Sequence, residues 1–298
     1  MRFSVWPSSG WTWDDIVGLA RHAEATGWDG VWVADHFMPN TGTSERADGP
    51  MLECWSVLAG LAAAVPRVRL GSLVTSVTYR HPAVLAKIAA TVDNVSGGRL
   101  VLGVGSGWQT NEHEAYGLTL GSVKERLDRL EEACEILVGL LREPRTSHTG
   151  SFFTVADAPA DPKPVQSPLP LLVGGRGEKR TMRVAARLAD EWNAWTDPEG
   201  FAHKVAVLDR HCEDLGRDPA AIRRSTQALV DITDTPVTID GGDRMPALRG
   251  TPAQLVEALH TYAAAGLDEF ILPCWGDPGP TRELVDRFAA EVRPELGP

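Results

Sequence analysis

The chain has 298 residues, 43% hydrophobic and 23% charged, with a formal net charge of −11. That is material for one large α/β domain or two small ones, with a sizeable core. The negative balance disfavours a general nucleic-acid or anionic-membrane binder, whose surface needs excess Lys and Arg. Cys54, Cys134, Cys212 and Cys274 are far apart and form no CxxC, so they read as free thiols of a reducing cytoplasm. No apolar run approaches the ~18 residues of a membrane span.

A first short strand is expected over 3–6. Thr12 reads as the N-cap of a helix with Ile16, Leu19, Ala20 and Ala23 at helical spacing. The second strand, 30–34, ends in Asp35-His36, and a polar loop over 40–50 leads to a helix over 53–64. A third strand over 68–74 exits through 75–82, and Pro82 opens a helix where its missing N–H costs nothing. The fourth strand is the apolar run 100–104, of the continuous kind that marks a buried parallel strand. It runs into Gly105-Ser106-Gly107-Trp108. Glycines there let a flat group approach the backbone; a tight strand-to-helix turn is the plainer alternative.

A long amphipathic helix follows over 123–141. Residues 143–168 break the rhythm, with a hairpin near 149–155, and read as an insertion. The fifth strand, 169–173, ends in Gly174-Gly175-Arg176-Gly177 ahead of a helix over 178–188. Free N–H groups at a helix N-terminus, with Lys179 and Arg180 beside them, suit a phosphate; a plain helix cap with solvated cations is the alternative. Strands over 191–195 and 224–230 flank a helix over 198–215, and a second irregular insertion occupies about 231–250. Thr251-Pro252-Ala253-Gln254 combines cap, N1 proline and capping-box glutamine. An eighth strand over 269–273 and a helix over 282–292 close the chain.

Eight β–α units in one domain over 1–298 fit an α/β (β/α)8 TIM barrel with insertions about 143–168 and 231–250. A doubly wound sheet would place its GxGxxG after the first strand, where none stands. In a barrel the active site lies at the C-terminal strand ends, and the unusual residues fall there. Trp6, Trp108, Trp195 and Trp275 sit at such ends. His81, His113, His203, His211 and His260 have no metal-ligand spacing. Glu112-His113-Glu114, as successive helical residues, cannot face one point, so no metal is expected.

The chain resembles the luciferase-like monooxygenase superfamily, in its branch of coenzyme F420-dependent oxidoreductases of actinobacterial type. The likeness is carried by WDGVWVADHF (28–37), VRLGSLVTSVTYRHPAVLAKIAATVDNVSGGRLVLGVGSGW (68–108), NEHEAYG (111–117), LPLLVGGRGEKRTMRVAARLADEWN (169–193), CEDLGRDPAAI (212–222) and GTPAQLVEAL (250–259). The resemblance implies hydride transfer between a deazaflavin and a small organic substrate: an alkene, imine, ketone or alcohol. It makes His36 the acid or base, a role suited to a side chain that titrates near neutral pH; a polar-pocket His beside a loop-capping Asp35 is the alternative. It assigns the cofactor to Asp35, Ser72, Leu73, Thr75, Gly105, Ser106, Gly107, Asn111, Gly174, Gly175, Arg176 and Gly177. A non-proline cis peptide would join Ser72 to Leu73. Trp6, Phe37, Trp108 and Trp195 would line the substrate pocket. The resemblance also implies a homodimer.

The superfamily's sugar-phosphate dehydrogenases carry a Glu where Trp108 stands and a Trp where Asn40 stands. That departure argues against a sugar-phosphate substrate. Two other readings stay open: an FMN-dependent monooxygenase supplied with reduced flavin by a separate reductase, and a non-catalytic flavin-binding barrel.

Overall fold

The computed structural model describes residues 1–40, 45, 47–237 and 245–297. Its strands are β1 (Arg2–Pro7), β2 (Gly30–Val33), β3 (Arg69–Ser72), β4 (Thr75–Ser76), β5 (Leu100–Gly105), β6 (Thr146–Thr149), β7 (Thr154–Ala158), β8 (Leu171–Gly174), β9 (Glu191–Trp195), β10 (Arg223–Gln227), β11 (Leu229–Ile232), β12 (Ala247–Gly250) and β13 (Glu269–Cys274). The helices are α1 (Trp13–Ala25), α2 (Cys54–Ala64), α3 (Pro82–Ser96), α4 (Thr110–Ala115), α5 (Val123–Arg142), α6 (Thr181–Leu188), α7 (Pro198–Asp214), α8 (Pro252–Ala264) and α9 (Pro278–Arg287). The strand order β3-β2-β1-β13-β10-β9-β8-β5-β4 closes through a β3–β5 pairing. With β3 and β4 as two halves of one strand, this is a closed eight-stranded parallel (β/α)8 barrel.

Local sequence explains most helix starts. Thr12 accepts the Asp15 N–H, and Ser122 with Glu125 and Thr251 with Gln254 form complete capping boxes. Apolar residues between sheet and helices make the main core. Inside the barrel lies a second apolar layer of Trp6, Trp32, Leu73, Val101, Leu172 and Ile271. Beneath it, at the N-terminal end, the filling turns polar. Arg69 bonds Glu269 at 2.8 Å and Glu191 at 2.5 Å, and Ser4 and Trp32 donate to the same Glu269. All four cysteines are free and buried, and no helix among the described residues is long and apolar enough to cross a membrane.

Several boundaries differ from expectation. The third strand ends at Ser72, and the cis peptide joins Leu73 to Val74 and not Ser72 to Leu73. Leu73 N–H still bonds Val33 O at 2.8 Å, so the ladder to β2 reaches one residue past the end of β3. The seventh strand stops at Gln227. Residues 229–232 leave the barrel and pair in parallel with 247–250, so the second insertion is partly regular; its residues 238–244 lie outside those described. The helix that holds Glu112-His113-Glu114 is short, running from Thr110 to Ala115. The hairpin's strands begin at Thr146 and end at Ala158. The last helix starts at Pro278, not 282, and continues as a wider-wound turn over Phe288–Val292.

Candidate active site

After β2 the chain carries Asp35, His36 and Phe37 over the rim. His36 Nδ1 lies 2.7 Å from Glu112 Oε1, and the Glu112 side chain is wholly enclosed. The other oxygen of Glu112 accepts the Phe37 N–H at 2.7 Å, and the Tyr79 hydroxyl donates to Oε1. Burial pushes the Glu112 carboxyl up, but the bonds from His36, Tyr79 and Phe37 outweigh it and hold the group below its ordinary value. A carboxylate only accepts, so Nδ1 carries the hydrogen and Nε2 is the nitrogen left for other chemistry. Tyr79 stays protonated, its hydroxyl raised by burial and by Glu112. Trp108, 54% exposed, stands edge-on to the His36 ring at 5.6 Å.

Asp35 is buried behind this pair. Arg80 grips its carboxylate at 2.6 and 3.1 Å and reaches on to Glu53. Burial raises the Asp35 carboxyl against the pull of Arg80. The Phe37 ring packs on Tyr79 at 4.6 Å and under the Arg80 guanidinium. Thus Asp35 positions the rim through an ion pair, as a buried carboxylate must if it is to stay charged.

The bulge at Leu73–Val74 explains the glycines. A Cβ on Gly103 would lie 2.0 Å from Ser72 O, and one on Gly105 or Gly174 would lie 2.7 or 2.8 Å from Val74. These glycines make room for Val74 in the barrel mouth. Ser72 Oγ bridges to Gly103 O at 2.8 Å, and Thr75 Oγ1 accepts from Trp55 Nε1 at 3.0 Å, so both hydroxyls are engaged within the protein. Gly107 has φ +77° and leaves space for Ser76. Asn111 Nδ2 donates to Glu45 O at 3.0 Å. Ser106 lies half-buried at the β5 exit.

After β8, Gly175 N–H bonds Asn193 O, and Trp192 Nε1 bonds Gly175 O. A Cβ on Gly177 would crowd Thr181, the first residue of α6, at 2.9 Å. No side chain caps α6, and the Arg176 side chain is exposed. Arg180 turns away to Asp128 at 2.6 Å. On another arc of the rim Trp6, Trp195 and Trp275 meet, with ring centroids 4.9 to 5.9 Å apart.

The structure therefore brings His36, Phe37 and Trp108 together and gathers Trp6 with Trp195. It also adds Glu112, Tyr79, Arg80 and Glu53, none of which residue spacing places in the site. Spacing sets Glu112 aside together with its neighbours. The three residues do diverge, His113 turning to Thr78 and the Gln109 carbonyl, but Glu112 meets His36. The signal for it is the start of α4 at Thr110, which puts Glu112 on the buried side of a first turn. Among the described residues no cluster could hold a metal ion.

The C-terminal mouth of this barrel thus holds the His36–Glu112 pair and the glycine turn before α6. The family model for luciferase-like monooxygenases matches residues 1–239, and the chain belongs to that family. It is 35% identical to an F420-dependent glucose-6-phosphate dehydrogenase of Kineococcus radiotolerans, over 82% of this chain and 72% of that one. It is 30% identical to an F420-dependent hydroxymycolic acid dehydrogenase of Mycobacterium tuberculosis, over 74% of this chain and 60% of that one. Its fold matches an F420-dependent secondary alcohol dehydrogenase with a TM-score of 0.84 at 19% identity, covering 100% and 99% of the two chains.

Proposed function

We propose that the chain is an F420-dependent oxidoreductase acting on a small organic substrate, an alcohol, ketone, imine or alkene, with His36 as its acid or base. The observation that carries this is the bond from His36 Nδ1 to the enclosed Glu112, which leaves Nε2 as the proton-exchanging atom beside Trp108. The named activities of the relatives support the cofactor class. The residues fit such a group. Val74 stands in the mouth on a cradle that three Cβ atoms would fill, and the uncapped start of α6 offers N–H groups to an anionic tail.

When bound, the deazaflavin supplies or accepts a hydride at a ring carbon. The protein's part is proton movement and positioning. For an alcohol, Nε2 takes the hydroxyl proton, and Glu112 stabilises the imidazolium that results. In the reverse direction the same atom returns the proton. This is the logic by which a buried carboxylate holds a catalytic imidazole in one tautomer. Trp108 and the tryptophan wall keep bulk water from the reacting bond.

A paired fluorescence titration with oxidised coenzyme F420 and oxidised FMN tests the proposal. Tight binding of the deazaflavin alone is expected. Tight binding of FMN alone would replace it with oxygen-consuming chemistry and a reductase partner.

A further inference from the structure

The rim arc formed by β1, β13, β10 and β9 differs in chemistry from the anion corner beside β8. Trp6 is the penultimate residue of β1, Trp195 ends β9, and Trp275 follows β13. Trp6 and Trp275 meet edge to face at 4.9 Å, and Trp195 lies 5.6 Å from Trp275. Trp275 remains 39% exposed, so the cluster presents a face and is not merely packed away. Trp275 is open, Trp195 is half-buried and Trp6 is buried behind them, so the cluster offers a ligand an aromatic face backed by a packed ring.

Charge on the same arc points the same way. Residues 3–20, 192–203 and 268–281, which take in β1 after Arg2, β9 after Glu191 and β13, with the turns after them, contain no Lys or Arg, and past the strand ends of β9 and β13 they carry Asp197, Glu199 and Asp277. Nearby cations are committed elsewhere. Arg80 is held by Asp35 and Glu53, Arg126 donates to Gly107 O at 2.7 Å, and Arg180 is paired with Asp128. A phosphate monoester on this arc would meet acids and indole rings and no Lys or Arg from these three segments. Desolvating it there is unfavourable.

We infer that the pocket takes an uncharged substrate whose apolar bulk lies on the Trp6–Trp195–Trp275 wall, and that it rejects phosphorylated sugars. The inference rests on the proposed oxidoreductase reading for the reacting group, but the wall and its charge are independent of the cofactor. It separates this chain from relatives named for glucose 6-phosphate.

The test titrates the protein, with and without F420, with a 2-alkanol series from 2-butanol to 2-octanol and with glucose 6-phosphate. Binding is followed by tryptophan fluorescence and by saturation transfer to the ligand. Affinity is expected to rise about fourfold per methylene, the value of burying one CH₂. Trp275→Ala should weaken 2-octanol about tenfold and 2-butanol less than about twofold; its exposed position makes misfolding a small concern, and circular dichroism checks it. Glucose 6-phosphate should give no saturable signal. A flat series, an unaffected Trp275→Ala variant, or sugar phosphate binding as tight as 2-octanol would overturn the inference. Chain-length dependence in a protein that ignores F420 would sink the cofactor reading and leave the wall standing.

Discussion

Both ends of the barrel bury charged side chains, and they use them differently. At the N-terminal end Arg69 lies between Glu191 and Glu269, and Ser4 and Trp32 complete the shell around Glu269. In that cluster the donors face the acceptors across the barrel floor. At the C-terminal end Glu112 takes bonds from His36, Tyr79 and Phe37, and Asp35 takes Arg80. Those carboxylates are satisfied too, but the satisfaction stops at one ring nitrogen. His36 keeps Nε2 toward the mouth, with its side chain 24% exposed. A buried ionic network spent on internal pairs serves the fold; one that leaves a titratable atom facing the mouth can do chemistry.

The largest expected effect lies at the open end. His36→Ala should lower turnover by about 10²–10⁴-fold, the usual contribution of a positioned acid or base. F420 affinity should hardly move. Activity surviving intact, with affinity also intact, would mean that the barrel binds without using this imidazole and would revive the non-catalytic reading.

At the closed end, Arg69→Met should cost about 3–5 kcal/mol of stability, because it leaves Glu191 and Glu269 buried without their cation. Denaturant unfolding measures it, and turnover per folded molecule should not change. A loss of turnover at unchanged stability would show that the floor acts on the mouth and break the contrast.

The smallest effects are in pH dependence, and they have opposite signs. Bonds from His36, Tyr79 and Phe37 overcome burial and depress the Glu112 carboxyl, so its contribution to stability is present above the ordinary glutamate value and is lost as pH falls through the folded one. Glu191 is raised, first by burial and then against the pull of Arg69 by Glu269. Its contribution is present below the ordinary value and is lost as pH rises through the folded one. Calorimetry should find that Glu112→Gln flattens the acid limb of the Tm profile and Glu191→Gln the limb above it. Each change is on the order of 1 kcal/mol. Both variants altering the same limb would refute the assignment.

Much of this molecule is legible in its residue order. Continuous apolar runs, caps such as Thr12, Ser122 and Thr251, and the eight-fold rhythm specify a parallel barrel, because helix starts and buried strands are local matters of spacing and hydrogen-bonding groups. The rim position of His36 follows from the same rhythm, since it stands just past the end of a strand. What only the tertiary structure decided is who meets whom across the mouth. Glu112 reaches His36 from 76 positions away, Arg80 reaches Asp35 from 45, and Trp275 joins Trp6 from the other end of the chain. At the fourth strand's exit Gly105 makes room for Val74 and Gly107 for Ser76. Such pairings depend on barrel closure and on where the third strand bulges. Neither leaves a local pattern, because a side chain's partner across a barrel is set by geometry that no short window of sequence contains.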